Sequence, residues 1–251
     1  MRQKDRQNTS ESIGLMEPML PSEGKLRELD DLVIDLVAKS NSLAGQLNPI
    51  VRDSIGHLVR SMNCYYSNLI EGHDTHPRDI DRALAENYSK EPRKRNLQKE
   101  AVAHIEVQRL IDAGSAPDDD PTSVQFITWL HHAFCSRLPD DLLWIENPDT
   151  KEKLKVIPGK LRENDVVVGR HIAPRPENLS AFLTRFMEAY APDHLSKTGQ
   201  IISVAASHHR LLWVHPFLDG NGRVTRLMSH AMLLRFGVNT PLEPRKTAMV
   251  K

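Results

Sequence analysis

The densest chemistry in this chain lies in one continuous run, His215-Pro216-Phe217-Leu218-Asp219-Gly220-Asn221-Gly222-Arg223-Val224-Thr225-Arg226. Gly220 and Gly222 flank Asn221, so backbone N–H groups can turn inward with no Cβ in the way. The apolar periodic stretch that follows opens a helix whose positive end faces the same point, which makes a cradle for a phosphate. Arg223 and Arg226 stand three apart in the first turn of that helix, where cations oppose the dipole unless something negative neutralises them. Asp219 is a hard oxygen donor of the kind that Mg²⁺ uses together with phosphate oxygens. His215, at the mouth of the loop, can take a proton near neutrality. Taken singly, each has a commonplace role: a hydrogen-bonded histidine, a Gly-Asn-Gly turn, a surface arginine pair. The argument for chemistry rests on their conjunction. A P-loop is excluded, because no Gly-Lys-(Ser/Thr) follows the glycines.

The loop is held between two apolar periodic stretches, Ile201 to Val214 and Leu227 to Phe236, which read as helices. Upstream, residues 1–24 mix Ser, Glu, Pro and Gly and read as a loose leader. A first helix runs from Leu26 through Leu29, Leu32, Val33, Leu36 and Val37. A second opens with Asn48 as cap and carries the apolar stripe Leu47, Ile50, Val51, Ile55, Leu58, Met62, Tyr65 and Leu69 to Ile70. Gly72 suits the left-handed residue past its end. A third helix follows Pro77 with Ile80, Leu84 and Tyr88. A fourth carries Leu97, Ala101, Ile105 and Leu110 and stops near Gly114. A fifth, capped by Asp120 or Thr122, contains Phe126, Ile127, Trp129, Leu130 and Phe134. Between Leu154 and Ile172 the pattern changes to short β-branched runs that read as one hairpin. Helices resume at Pro176 and at about Lys197. The expected architecture is mainly α, a helical bundle with one small β-hairpin, divided into 1–24, a helical region 25–114 and a core 115–251.

Composition narrows the function classes. The 33 Lys+Arg balance 33 Asp+Glu, so no overall field recruits nucleic acid or an anionic membrane. The basic run from Lys90 to Lys99 is broken by acids and reads as a solvated face. No apolar run is long enough to span a membrane and the N-terminal residues are polar, so a cytoplasmic protein is expected. Cys64 and Cys135 each sit within an apolar periodic segment, as buried thiols rather than zinc ligands.

Jointly, the residues from His215 to Arg226 match at every fixed position the pattern His-x-Phe-x-(Asp/Glu)-Gly-Asn-Gly-Arg-x-x-Arg, and the chain resembles the Fic family of AMP transferases. The segment Val167 to Pro176 looks like that family's flap hairpin, and His208 also matches a family position. The resemblance implies the Fic fold from Leu43 to about Thr240. It implies that His215 deprotonates a target Tyr, Thr or Ser hydroxyl for attack on the α-phosphate of ATP. Asp219 would hold Mg²⁺ between the α- and β-phosphates, Gly220, Asn221, Gly222 and Arg223 would bind those phosphates, and Arg226 would grip the γ-phosphate. The flap residues Val167, Val168, Gly169, Arg170 and His171 would pair with an extended segment of a target protein, with self-modification as a further outcome.

Ser67-Asn68-Leu69-Ile70-Glu71-Gly72 resembles the family's inhibitory motif, (Ser/Thr)-x-x-x-Glu-(Gly/Asn). Glu71 falls at the negative end of its helix, where a facing cation would relieve it. The resemblance makes Arg226 that cation and the chain an autoinhibited enzyme. Two other function classes stay open. One is related chemistry at the same site, either transfer of another nucleotide or hydrolysis of AMP from a modified protein with Glu71 placing the water. The other is a nucleotide-sensing module without transfer activity. The sequence stops about 25 residues after Arg226, with Pro241 and Pro244 breaking a continued helix, so the base-binding half of the site is expected to be short. Oligomeric state is left open.

Overall fold

In the computed structural model, which describes residues 12–73, 75–147 and 150–238, the periodic segments form helices α1 (Glu23–Gln46), α2 (Pro49–Ile70), α3 (Pro77–Leu84), α4 (Pro92–Asp112), α5 (Val124–Cys135), α6 (Leu179–Tyr190), α7 (Lys197–Val214) and α8 (Asn221–Arg235). Local chemistry sets many of their ends. The Asn48 side chain accepts from Ile50 N–H at 3.0 Å to open α2. Ser196 does the same for Gly199 at the start of α7, at 3.1 Å. The cap of α5 is Ser123, whose Oγ accepts from Phe126 N–H at 3.1 Å, rather than Asp120 or Thr122. Asp120 instead spends its carboxylate on Thr122, at 2.8 Å to the N–H and 2.6 Å to the hydroxyl. Helix α3 stops at Leu84, and Glu86 takes a left-handed φ of 57°, so Tyr88 lies outside it. The segment 239–251, including Pro241 and Pro244, lies outside the described residues, as do residues 1–11.

The main core is built by α5, α6, α7 and α8, with Phe126, Phe134, Phe182, Phe186, Leu211, Phe217, Leu227 and Met228 all buried. Helix α4 adds Ala103, Val107 and Ile111 to that core, which therefore crosses the boundary drawn near residue 114. The leader is not loose where it is described. Ile13–Met16 forms a 3-10 turn, Met16 and Met19 are buried in the main core, and Tyr190 donates its hydroxyl to the Met19 carbonyl at 2.8 Å. Arg185 pairs with Glu17 across the same seam.

There are two small hairpins rather than one. Strand β1 (Trp144–Glu146) pairs antiparallel with β2 (Lys153–Lys155), and β3 (Val167–Val168) pairs antiparallel with β4 (His171–Ile172). Val156 leaves the first hairpin to fill the core.

Helix α2 inverts the ordinary arrangement of an amphipathic helix. Its apolar residues Ile50, Val51, Leu58, Leu69 and Ile70 are exposed, while Arg60, Ser61, Ser67 and Asn68 are buried. The reason is its neighbour. α2 packs on α4, which presents Glu100, His104, Gln108 and Asp112, all buried. Arg60 answers Asp112 at 3.0 Å, and Asp112 also accepts from His230 of α8 at 2.6 Å. Apolar contact is confined to a small cluster of Cys64, Ile80, Ala101 and Ile105. Helix α1 lies on α7, with Val33 buried against Ile201, Ile202 and Val238 while Leu32 and Leu36 face solvent.

Candidate functional site

Helix α7 delivers His215 as the capping residue just past its end, in a left-handed conformation with φ 51° and ψ 62°, its N–H still bonded to the Leu211 carbonyl at 2.9 Å. Burial pulls the imidazole pKa below its ordinary 6.5, and the Arg162 charge works in the same direction, so His215 is neutral and able to accept a proton at pH 7.

The loop that follows is clamped from within and from below. The Asn221 side chain accepts from Phe217 N–H at 2.9 Å and donates to the Phe217 carbonyl at 2.8 Å. Asn221 therefore closes the loop with its side chain, and its contribution to an anion is its backbone N–H. His131 of α5 stacks on Phe217 with ring centres 3.9 Å apart and planes 1° from parallel. Its Nδ1 accepts from Gly159 N–H at 2.8 Å, which puts the ring hydrogen on Nε2, 3.3 Å from the Asp219 carbonyl. Burial holds this imidazole at a pKa of about 4, and so in the neutral form this arrangement requires.

Gly220 precedes α8 with φ 77°, a conformation that favours glycine. The first amide bonded within the helix is Val224 N–H, to the Gly220 carbonyl at 3.0 Å. The N–H groups of Asn221, Gly222 and Arg223 thus precede the ladder, at the positive end of α8. At Gly222 a Cβ would run into the Glu71 carboxylate, so the glycine is what lets Glu71 approach the cradle.

Each arginine of the cradle has found its own carboxylate. Arg226 Nη2 lies 2.5 Å from Glu71 Oε1, and its Nε donates to Ser67 Oγ at 2.8 Å, so both come from the end of α2. Arg223 turns to the other side and pairs with Glu100 of α4, with its Nη2 also 3.2 Å from His73 Nδ1. Both partners of the Glu100 pair are buried, and Arg223 Nε is buried without a hydrogen-bond partner. Glu100 and His73 were not singled out in the sequence, where nothing marks one acid of a charged helix from its neighbours.

A cavity of about 320 Å³ opens against these groups, lined among others by Glu71, Glu100, Asp141, Asp219, Gly220 and Arg223. Its carboxylates outnumber its cations, so a polyphosphate entering here must displace a carboxylate or arrive with a cation. Asp219 is exposed, and its Oδ1 accepts from Gly220 N–H at 2.7 Å. One hard carboxylate beside an anion cradle suits a cation that completes its shell with phosphate oxygens.

The second hairpin exposes Val167, Val168 and Ile172 along its edge and turns at Gly169, with φ 60°. Arg170 is exposed, but His171 is not part of that edge. Its Nε2 is 2.7 Å from the Trp213 carbonyl and its ring lies against the Trp213 ring, so it ties the hairpin to α7. His208 bonds Ser229 Oγ at 2.9 Å and joins α7 to α8.

The Fic/DOC family profile matches residues 121–233. Among curated relatives, the protein adenylyltransferases Fic of Drosophila erecta and Drosophila melanogaster are each 36% identical over 88 residues, which is 35% of this chain and 18% of theirs. The matched stretch is thus under a fifth of their length. Among solved structures, Fic-1 from C. elegans aligns with a TM-score of 0.60 at 22% identity, over 84% of this chain and 57% of that one. A Fic domain containing signaling protein from Bacteroides thetaiotaomicron aligns with a TM-score of 0.60 at 21% identity, over 82% and 73%. At such identities these two alignments speak for the fold. Motif, loop geometry and helical architecture agree: residues 121–233 match the Fic/DOC family, and the chain has the helical fold of the Fic-domain structures.

Proposed function

We propose that this chain is a protein adenylyltransferase that moves AMP from ATP to a Tyr, Thr or Ser hydroxyl of a target protein and is held off in cis by Glu71. The observation that carries this reading is the Glu71 carboxylate beside Gly222, paired with Arg226, at the mouth of the amide cradle. In that position it competes for the cation and the space that a terminal phosphate would use. When the end of α2 withdraws, Arg226 is left for the γ-phosphate, and the first-turn amides with Arg223 face the phosphates nearer the reacting centre.

The neutral imidazole of His215 accepts the hydroxyl proton as the oxygen bonds to the α-phosphorus. The bond from that phosphorus to the bridging oxygen breaks, and pyrophosphate leaves with the electron pair. Asp219 is the residue that would hold Mg²⁺, which when bound offsets charge on the phosphates. The exposed edge of Val167 and Val168 suits an added strand, which binds through main-chain bonds with little demand on target sequence.

Hydrolysis of AMP from a modified protein is the second reading, favoured by the same carboxylate, which could orient a water. Glu71 separates the two: transfer is hindered by it and hydrolysis needs it. The test is incubation of wild type, Glu71→Gly and Glu71→Gly/His215→Ala with Mg²⁺ and α-labelled ATP, read by autoradiography and intact mass. Label on Glu71→Gly but not on Glu71→Gly/His215→Ala supports transfer. Absence of label from all of them, with every nucleoside triphosphate, rejects it.

A further inference from the structure

Arg162 lies between the two hairpins and is only 2% exposed. Its guanidinium is spent on main-chain carbonyls. Nε donates to His215 at 2.7 Å, Nη1 to Asn164 at 2.9 Å, and Nη2 to Pro174 at 2.5 Å and to Val214 at 3.4 Å. Its own N–H donates to the Pro216 carbonyl at 3.0 Å. One residue therefore grips three consecutive carbonyls around the candidate base, at 214, 215 and 216. It also grips the two carbonyls that bracket the flap, one before β3 and one after β4.

Both ends of this bridge need support. His215 sits in a left-handed conformation that a β-carbon disfavours, so its carbonyl direction has to be imposed from outside. The flap pairs only two residues per strand, too few to hold its own position, and its apolar side chains are exposed. A second tether of the flap among the described residues is His171 on the Trp213 carbonyl.

We infer that Arg162 is a positioning residue that registers the flap against His215, so that a hydroxyl presented on the flap edge arrives at the base. A planar fork of donors is required for this. Lysine, a point charge on a flexible stem, cannot reach carbonyls from both segments in fixed directions. The catalytic consequence rests on the AMP-transfer reading, whereas the structural one does not.

The experiment uses the whole chain in the Glu71→Gly background and compares Arg162→Lys by amide hydrogen exchange, ATP affinity and self-modification with labelled ATP. Flap and loop amides, residues 164–173 and 214–215, are expected to exchange about tenfold faster or more, with α8 unchanged. Self-modification at saturating ATP is expected to fall about 100-fold while ATP affinity holds, since a small misplacement of reacting groups costs that much. Unchanged flap exchange overturns the proposal. So does a parallel fall in ATP affinity and α8 protection, which would mark a merely structural residue. A second variant, His171→Phe, cuts the second tether and leaves Arg162 in place, so the flap should stay protected. If His171→Phe alone frees the flap, Arg162 is not the strut. If the Glu71→Gly parent takes no label at all, the transfer reading fails, and the exchange data still decide the role of Arg162.

Discussion

Glu71, the capping residue at the C-terminus of α2, places Oε1 2.5 Å from Nη2 of Arg226, over a glycine whose lack of a side chain makes the approach possible. Neither partner is deeply buried, with side chains 29% and 19% exposed, so the pair adds little to global stability. Its effect is on what else can use Arg226.

Glu71→Gly is therefore expected to raise self-labelling by about 5- to 150-fold, the usual range of a coupling between two sites, while leaving the thermal midpoint within a few degrees. Initial rates of label incorporation beside thermal unfolding of the same preparations check both halves.

The Glu100 pair behaves differently because both of its partners are buried. Glu100→Gln leaves Arg223 charged and uncompensated, at a cost of about 3–5 kcal/mol, with a clear drop in melting temperature. A bound nucleotide supplies the missing anion, so Mg·ATP should return more stability to this variant than to wild type. Melting curves with and without nucleotide decide it.

Transfer by His215 requires the neutral imidazole, and burial lowers its pKa below 6.5. Activity should be present through neutrality and lost as pH falls through that lowered value. The acid limb of the rate profile of Glu71→Gly is expected below pH 6.5, and a limb above it would remove His215 as the base.

His104 of α4 is fully buried, neither ring nitrogen has a partner, and burial next to the charges of Arg226 and Arg223 drives its pKa down to about 3. The unfolded chain binds a proton there near 6.5 and the folded chain does not. Its contribution is thus complete above pH 6.5 and is lost as pH falls from 6.5 towards 3, at about 1.4 kcal/mol per pH unit. Urea unfolding at pH 7 and pH 5 should differ by about 2 kcal/mol from this group, and His104→Leu should flatten that slope.

Much of the fold was legible because it is local. Asn48 as cap, Gly72 as the left-handed residue past α2, and the end of α4 near Gly114 follow from the preferences of single residues, and each stands where its neighbours in sequence put it. The loop from His215 to Arg226 was equally legible, because Gly220, Gly222 and the start of α8 make a cradle without help from distant residues. The pairing of Glu71 with Arg226 came from resemblance alone, since periodicity says nothing about which helix end meets which.

What the sequence by itself determined is a mostly helical chain with a glycine-rich loop between two helices and a histidine at its mouth. Tertiary structure decided the rest. It turned the polar side of α2 inward, because α4 offers the buried Asp112, which Arg60 of α2 pairs, and a buried charge left unpaired outweighs an apolar stripe. It sent Met16 and Met19 from an unpatterned leader into the core. It gave Arg223 to Glu100 and the carbonyls of His215 and Pro174 to Arg162. These choices depend on which groups must satisfy one another once water is excluded, and that is set by contacts between residues far apart in the chain.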